Sequence, residues 1–237
     1  EPGERLPACA AADQMKIAEV FYSIQGEGTL LGVPSVFLRT SGCNLRCVWC
    51  DTPYTSWRPE GTDWTIRALL DYVAGCSTGY VVVTGGEPMI QPEVAALTEG
   101  LRAMGQHITI ETAGTVFRQV DCDLMSISPK LANSTPPGEF AAQHERLRYQ
   151  PEVLRRLMTS YAYQLKFVIA TREDVIEVAR MVDELGADRG RVLLMPEGTK
   201  SAIVRERGLW LAEECKRTGF RYSPRLHVDL WGDKRGV

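Results

Sequence analysis

The sequence predicts an α/β fold, a partial (β/α) barrel of the TIM-like type. Strand-forming runs alternate with segments of helical periodicity, as expected for parallel βαβ units with right-handed crossovers. The run YVVV at 80–83 is apolar almost throughout, which suits a strand buried on both faces of a parallel sheet. With 237 residues and 44% hydrophobic content, the chain can bury the core of one such domain.

The predicted elements follow a featureless start. Residues 1–14 have no usable periodicity, so we expect a disordered N-terminal tail, followed by a single domain over 15–237. Strands are predicted at 17–22, 36–40, 80–84, 107–111, 124–128, 164–169, 191–195 and 225–230. Apolar spacings of three and four predict two helices, one carrying Val94, Leu97, Leu101 and Met104, the other Val175, Val178, Val182 and Leu185. The segment 132–150 is the least regular part of the interior, and we expect an excursion or a lid there.

Composition limits the classes of function. A net charge of −3 argues against a nucleic-acid-binding protein, because phosphate binding needs clustered Lys and Arg. No apolar run approaches the length of about 18 residues that a membrane span requires, and the N-terminus has no signal-peptide pattern. We therefore expect a cytoplasmic protein with a small-molecule substrate.

Three of the seven cysteines crowd into one loop. Cys43, Cys47 and Cys50 lie within eight positions, directly after a predicted strand, and such crowding favours a metal site over a disulfide framework. Three thiolates can hold a 4Fe-4S cube and leave one iron without a protein ligand. That iron can chelate the amino and carboxylate groups of S-adenosylmethionine (SAM). The other four cysteines are scattered singly, and we interpret them as inert packing residues.

A structural zinc site is the alternative for this loop. Zinc in such sites takes four ligands in a tetrahedral shell, and no fourth ligand is evident. Asp51 is badly placed beside Cys50, while His107 and Cys76 belong to other elements. The spacing therefore favours a three-thiolate iron-sulfur loop.

The loop resembles the cluster motif of the radical SAM superfamily, which has the spacing Cys-x3-Cys-x2-Cys with an aromatic residue, here Trp49, before the last cysteine. The segment TGGEP at 84–88 is similar to the GGEP element of that superfamily. Two glycines at a strand end let the main chain approach a ligand, and Glu87 offers an acceptor for an ammonium group. The resemblance implies a partial barrel of the radical SAM type, with the amino group of SAM bound at this turn.

Three further segments resemble the 7-carboxy-7-deazaguanine synthase family of the queuosine pathway. They are an opening hairpin, IQGEG at 24–28, the element SPK at 128–130 and the tail LWGDKRGV at 230–237. The likeness is weak over 132–163, and Ala113 stands where family members more often carry a polar residue. The resemblance implies an N-terminal hairpin extension and a carbon-nitrogen lyase of 7-deazapurine biosynthesis, which supports tRNA modification. In that reaction a deoxyadenosyl radical drives contraction of the ring of 6-carboxy-5,6,7,8-tetrahydropterin, giving 7-carboxy-7-deazaguanine and ammonia, and SAM is regenerated.

The resemblance also assigns roles to matching residues, with no catalytic residue beyond the cofactor-derived radical. The cluster ligands are Cys43, Cys47 and Cys50. The expected SAM contacts are Trp49, Cys50, Asp51, Gly86, Glu87, Ser128, Pro129 and Lys130. The expected substrate contacts are the backbone of Ile24, Gln25 and Gly26 on the amide edge of the pterin, Arg39 on its carboxylate, and Thr84. Thr52 is expected to contribute to a Mg²⁺ site that bridges to the substrate.

Without the resemblance, simpler interpretations exist for single residues. Arg39 could form a surface salt bridge, Lys130 could be a surface lysine and Thr52 a turn residue. The histidines His107, His144 and His227 have no metal-binding spacing and are interpreted as structural or surface residues.

The resemblance implies several partners and an arrangement of the tail. A homodimer and a flavodoxin or ferredoxin as electron donor are expected, and residues 231–237 are expected to pack over the active site. Two alternatives to this lyase concern the function of the whole chain. One is a radical SAM activase that generates a glycyl radical on a partner enzyme, and the opening hairpin argues against it. The other is a non-catalytic zinc-stabilised module.

Overall fold

The computed structural model of the protein describes residues 13–237, which form one nine-stranded sheet with helices packed on it. The strands are β1 (Gln14–Ile24), β2 (Pro34–Thr40), β3 (Thr62–Thr65), β4 (Tyr80–Gly85), β5 (His107–Thr112), β6 (Leu124–Ile127), β7 (Tyr163–Ile169), β8 (Val192–Pro196) and β9 (Arg221–Tyr222). The α-helices are α1 (Pro53–Ser56), α2 (Ile66–Ala74), α3 (Val94–Ala103), α4 (Ala141–Arg148), α5 (Pro151–Ser160), α6 (Arg172–Leu185), α7 (Ser201–Thr218) and α8 (Leu226–Trp231).

The sheet is antiparallel at one edge and parallel over the rest. Its strand order is β3-β1-β2-β4-β5-β6-β7-β8-β9. Strand β1 is antiparallel to β2 and to β3, whereas each neighbouring pair from β2 to β9 is parallel. Sequential parallel strands with helices between most of them confirm the predicted α/β architecture of the partial-barrel type. The pair β1 and β2 forms the expected N-terminal hairpin extension.

The core lies between the sheet and the helices α2, α3, α5, α6 and α7. In β4, Val81, Val82 and Val83 are each at most 1% exposed, so this strand is buried on both faces, as its apolar run predicts. Burying one such side chain stabilises the fold by roughly 1.5–3 kcal/mol. The parallel strands are thereby held firmly enough to position the residues at their ends.

Both predicted helices are confirmed. Helix α3 buries three residues of its predicted stripe, while the fourth, Met104, lies just past its end. Helix α6 buries all four of its stripe, begins with a capping box of Thr171 and Asp174, and ends at Gly186 in the left-handed conformation, with φ of 64°. The capping box satisfies backbone N–H groups at the first turn, which fixes where the helix begins.

The predicted strand at 225–230 is wrong, because these residues form α8. Their apolar residues alternate as in a strand, but the sheet has already ended, with a last bond from the Ser223 N–H to the Leu194 carbonyl. Beyond it the chain turns, and the Val228 N–H donates to the Arg225 carbonyl at 3.0 Å. Val228 alone among the residues of α8 is buried, so the segment lacks the alternating inward face of a strand.

At the edge formed by β3, the sheet differs from the sequence prediction in two ways. Strand β3 was not predicted, since its four residues TDWT are short and polar. It pairs with the start of β1, where Gln14, which we expected in the tail, lies opposite Thr65. Residues 1–12 of the expected tail lie outside the described residues.

Of the helices in the described part of the chain, none has the length and apolar character needed to cross a membrane.

Candidate active site

A cavity of about 260 Å³ lies at the carboxyl ends of the parallel strands. Strand ends line it together with the opening hairpin (residues 24–28), the cysteine loop (42–51) and the C-terminal tail (231–237). In barrel folds, catalytic side chains gather at this end of the strands. All predicted site residues except Glu87 and Pro129 line this one cavity, namely Ile24, Gln25, Gly26, Arg39, Cys43, Cys47, Trp49, Cys50, Asp51, Thr52, Thr84, Gly86, Ser128 and Lys130.

Neighbouring segments hold the cysteine loop in place. The Trp49 indole N–H donates to the Asn133 carbonyl at 3.0 Å. The Trp57 indole N–H donates to the Cys47 carbonyl at 2.9 Å. These side-chain donors satisfy main-chain carbonyls of the loop and of the segment that supports it, so the loop keeps one shape with its thiols on the cavity.

His144 of α4 is buried and completes this support. Its Nδ1 accepts a hydrogen bond from the Arg46 backbone N–H at 3.1 Å, and its Nε2 lies 2.8 Å from Ser134 Oγ. Burial lowers the pKa of His144, so the neutral ring can accept on Nδ1 and donate from Nε2. No residue of 132–150 lines the cavity. This segment therefore supports the cysteine loop and is not the expected lid.

The three thiols suit an iron-sulfur cluster better than a zinc ion. Burial raises the pKa of Cys43 to about 12 and that of Cys47 to about 11, so both are neutral thiols until a metal displaces the proton. Within residues 13–237, no group of three or more His, Cys, Asp and Glu side chains is close enough to hold one metal ion. Zinc would need four such ligands around one point, whereas a four-iron cluster binds thiolates that lie further apart.

The glycine turn after β4 packs directly against the start of the cysteine loop. The Gly86 N–H donates to the Thr40 carbonyl at 3.1 Å, and the Glu87 N–H donates to the Gly42 carbonyl at 2.9 Å. A Cβ on Gly86 would lie 2.1 Å from the Gly42 carbonyl oxygen, so a side chain there would clash with the loop. Gly86 lines the cavity, where a residue without a side chain leaves the backbone accessible to a ligand.

Glu87 differs from its prediction. Its side chain is fully buried, and it accepts hydrogen bonds from the Met89 N–H, the Thr112 hydroxyl and the Ala113 N–H at 2.7–3.0 Å. Burial raises the pKa of Glu87, although these three donors oppose the shift. This geometry does not support the predicted direct contact with the ammonium group of SAM. Glu87 instead fixes the glycine turn against β5.

Ser128 and Lys130 lie beside the cysteine loop. Lys130 Nζ donates to Ser128 Oγ at 2.8 Å and lies 5.7 Å from the centre of the Trp49 ring, within the range of a cation–π contact. Both line the cavity, and Pro129 between them does not. The cysteine loop and the residues after β6 thus form one continuous wall.

The opening hairpin forms another wall. The Gln25 backbone N–H donates to the Val33 carbonyl at 2.8 Å, so this predicted donor to the pterin is already used within the hairpin. The Gln25 side chain faces the site instead, where Nε2 donates to Glu111 Oε1 at 3.3 Å. A Cβ on Gly26 would lie 2.1 Å from His227 Nδ1, so glycine is needed where the hairpin meets α8.

The sequence analysis missed three charged residues whose side chains are at most 14% exposed, namely Glu27 of the hairpin, Lys166 of β7 and Arg225 before α8. Glu27 forms ion pairs with Lys166 and with Arg225, whose Nε lies 3.2 Å from Glu27 Oε1. Burial alone would raise the pKa of Glu27, but the two cations hold it well below its usual range. A signal for Lys166 existed, because a lysine inside an apolar strand requires a buried partner. The sequence carried no such signal for Arg225, because we expected it at the first position of a strand over 225–230, where the structure has α8.

Arg225 and His227 connect this charged group to other parts of the site. Arg225 also pairs with Asp51 at the end of the cysteine loop and donates to the Gly198 carbonyl at 2.5 Å. Although burial opposes the shift, Arg225 lowers the pKa of Asp51. His227 Nε2 lies 3.9 Å from Glu27 Oε1 and lines the cavity. His227 is therefore a residue of the site, which its interpretation as a structural or surface residue missed.

Thr84 faces a second carboxylate. Its hydroxyl donates to Glu111 Oε2 at 2.7 Å, and Lys166 Nζ lies 3.8 Å from Glu111 Oε1. Glu111 ends the predicted strand at 107–111, and an acidic residue at the carboxyl end of a parallel strand is a signal that could have identified it. Arg39, at the end of β2, is paired with Glu19, whose Oε2 lies 2.8 Å from Arg39 Nε.

Comparisons with known proteins agree with this geometry. Residues 37–205 match the family model of the Radical SAM superfamily. A 7-carboxy-7-deazaguanine synthase from Rhodopirellula baltica is 42% identical, over 100% of this chain and 93% of that protein. One from Halobacterium salinarum is also 42% identical, over 92% of this chain and 91% of that protein.

Solved structures agree as well. The crystal structure of QueE from Escherichia coli superimposes with a TM-score of 0.69 at 26% identity, covering 90% of this chain and 95% of that one. Streptococcus suis SuiB bound to S-adenosylmethionine, at 12% identity and a TM-score of 0.54, covers 80% of this chain and 50% of that one and shares the fold alone. These relatives favour neither the activase nor the zinc-stabilised module.

The matches cover most of the chain, and the three thiols suit the cluster that defines the superfamily. The cofactors of this enzyme are accordingly a 4Fe-4S cluster and SAM. By its full-length relatives and its superfamily match, the chain belongs to the radical SAM superfamily and, within it, to the family of 7-carboxy-7-deazaguanine synthases.

Proposed function

We propose that the protein converts 6-carboxy-5,6,7,8-tetrahydropterin to 7-carboxy-7-deazaguanine with loss of ammonia. The observation that carries this proposal is that three cluster thiols share one cavity with Arg39 and Thr84, the expected substrate contacts. When bound, the cluster and SAM supply a carbon-centred radical for hydrogen abstraction. The residues of the chain then have three tasks. They bind SAM and the substrate, orient the substrate toward the radical, and exclude water from the site.

On the SAM side, the cysteine loop and the two segments beside it supply the contacts. The backbone of Gly86 can approach the ligand closely because no side chain intervenes. Ser128 and Lys130 offer polar partners, with the Lys130 cation available for the carboxylate of SAM. Trp49 adds an aromatic wall, and Asp51, held by Arg225, borders the same space.

On the substrate side, a planar pterin needs partners along its polar edges. Arg39 suits the carboxylate, because a guanidinium offers parallel donors to two oxygens. The hairpin residues Ile24 and Gly26, with the Gln25 side chain, line the cavity and would meet the edge of the pterin that carries the ring amide. Thr84 lines the same cavity and donates to Glu111, and its hydroxyl would contact the ring.

A magnesium ion at Thr52 is the finer part of this proposal. Thr52 lines the cavity next to the cluster ligand Cys50, with its hydroxyl 3.9 Å from the Cys50 sulfur. Mg²⁺ keeps several waters and accepts few protein ligands, so one hydroxyl with substrate oxygens is a reasonable shell. A Thr52→Val variant is expected to lose stimulation of turnover by added Mg²⁺.

Three other parts of the proposal come from family resemblance. A flavodoxin or ferredoxin supplies the electron, the enzyme works as a homodimer, and its location is cytoplasmic. Sedimentation of the purified holoenzyme tests the homodimer, and reduction of the cluster by either carrier tests the donor.

The reaction is tested under anaerobic conditions with reconstituted protein, SAM, a reductant, Mg²⁺ and the carboxylated tetrahydropterin. We expect 7-carboxy-7-deazaguanine and ammonia in equal amounts, and neither from a Cys50→Ala variant. Formation of 5′-deoxyadenosine without any deazaguanine would refute the substrate. Stoichiometric zinc in place of iron and sulfide would refute the cluster.

A further inference from the structure

One carboxylate connects Arg39 with the C-terminal tail. Glu19 of β1 is 13% exposed and lines the cavity. Its Oε2 accepts hydrogen bonds from Arg39 Nε at 2.8 Å and from the Tyr54 hydroxyl at 2.7 Å. Its Oε1 accepts from Arg235 Nε at 3.2 Å. Both oxygens are used, and each ties a different part of the site to β1.

These contacts set the direction of the Arg39 guanidinium. The bond to Glu19 fixes one edge of the planar group, and the Phe21 ring, with its centre 5.6 Å from Arg39 Cζ, supports it. Across residues 13–237, neither Nη nitrogen of Arg39 donates a hydrogen bond to the protein. On the cavity wall, Arg39 thus keeps two parallel donors free, which is the arrangement that a carboxylate accepts.

The same carboxylate holds the tail. Arg235 Cζ lies 3.5 Å from the centre of the Tyr54 ring, and Arg235 Nη1 donates to Glu60 Oε2 at 3.3 Å. Tyr54 in turn donates to Glu19, so Arg39, Tyr54 and Arg235 converge on one side chain. Because residues 232–237 line the cavity, the position of its wall depends on this convergence.

We propose that Glu19 is a positioning residue that directs Arg39 toward the substrate carboxylate and holds the tail closed through Arg235. The inference rests on the proposed function of Arg39. Glu19 acts through its neighbours, since its own oxygens are occupied by their donors.

Charge and position predict opposite outcomes when Glu19 is replaced by glutamine. On charge alone, losing the anion beside Arg39 and Arg235 makes the site more positive and tightens carboxylate binding. On position, the neutral amide is a weaker acceptor, and its NH₂ group opposes the donors that converge there. Positioning therefore predicts weaker binding of the carboxylate, against the direction of the charge effect.

The test is equilibrium dialysis of the holoenzyme, with SAM and without reductant, against 6-carboxypterin and pterin, which differ only in the carboxylate. We expect Glu19→Gln to reduce the preference for 6-carboxypterin about tenfold, the effect of one charge-assisted hydrogen bond. Arg235→Gln should raise the Kd of both ligands and leave the preference unchanged. Combining Glu19→Gln with Arg39→Ala should cost no preference beyond Arg39→Ala alone.

Glu60→Gln is the matched control, since it removes an exposed acidic partner of Arg235 that does not line the cavity. It should leave both Kd values unchanged.

An unchanged or increased preference for 6-carboxypterin over pterin in Glu19→Gln overturns the inference. An Arg39→Ala variant with full preference overturns the role of Arg39 and the inference with it, while product formation by the wild-type protein would still support the reaction. If Glu19→Gln fails to fold, wild-type Kd values in Arg235→Gln overturn the link to the tail.

Discussion

Arg225 forms an ion pair with Asp51, which lies 174 positions earlier in the chain. Arg225 is 6% exposed, and its other nitrogens donate to Glu27 Oε1 and to the Gly198 carbonyl. One guanidinium thereby joins the cysteine loop, the opening hairpin and the segment after β8. The cofactor side and the substrate side of the cavity are held together by this residue.

Replacing Arg225 with glutamine is expected to destabilise the fold strongly. The change removes the cation that Glu27 and Asp51 share. Because the pair of Arg225 with Glu27 is largely buried, with side chains 6% and 14% exposed, removing the cation costs about 3–5 kcal/mol. Urea unfolding of the anaerobic protein measures this loss. The control is Lys216→Gln, since Lys216 and Glu213 pair on the surface of α7 with both side chains more than 60% exposed, and such pairs contribute at most about 1 kcal/mol. Equal losses in the two variants would contradict the structural role of Arg225.

Cys47→Ala is expected to abolish the cluster. Two remaining thiols cannot retain a cube that three hold, so iron and sulfide should fall to background and the brown colour should disappear. The control is Cys76→Ser, because the Cys76 thiol lies outside the cavity and bonds to the Tyr72 carbonyl at 3.5 Å, an acceptor that a hydroxyl also suits. Full iron content in Cys47→Ala would mean that another residue completes the ligand set.

The sequence predicted the cysteine loop well and the charged residues around it poorly. The three thiols lie within eight positions of one loop, so their spacing reveals them. Glu27, Glu111, Lys166 and Arg225 are scattered along the chain, and each by itself resembles an ordinary charged residue. Lys166 inside an apolar strand and Glu111 at a strand end were local signals, but the contacts that join the four residues depend on tertiary packing that no local pattern records.

The fold shows the same contrast between its centre and its end. The central strand β4 was predicted because complete burial requires an apolar run. Strand β9 has two residues, too few to show any periodicity, and the alternating apolar residues of α8 resembled a strand in its place. The turn at the end of the sheet is set by contacts of Arg225 and Ser223 with distant residues, which the sequence does not display.

Acidification is expected to weaken the support of the cysteine loop through His144. Burial lowers the pKa of His144 below its ordinary value of 6.5. A group with a lowered folded pKa stabilises the protein fully above its unfolded pKa and loses that contribution as the pH falls toward the folded pKa. Protonation would turn Nδ1 into a donor that faces the Arg46 N–H.

The wild-type protein should therefore lose thermal stability as the pH falls below about 6.5, and a His144→Gln variant should lose less over the same range. Melting temperatures and iron content, measured together across this range, test the expectation. His107→Gln serves as the control, because His107 lies at the opposite end of β5 from the cavity. Parallel pH profiles for the wild type and His144→Gln would show that another group controls the acid sensitivity.

Deleting residues 231–237 is expected to abolish deazaguanine formation and to leave the cluster in place. Residues 232–237 line the cavity, and Arg235 anchors them to Glu19 and Tyr54, whereas the cysteine loop takes its support from Asn133, His144 and Trp57. An open cavity admits water and loosens the substrate, and a radical formed there reacts with the wrong partner.

Iron content of the truncated protein should thus equal that of the full chain, while 5′-deoxyadenosine accumulates without deazaguanine. A truncated protein with normal turnover would show that the wall formed by the tail has no part in catalysis. Loss of iron together with turnover would instead assign the tail to holding the cluster, so the two measurements separate shielding of the substrate from support of the metal.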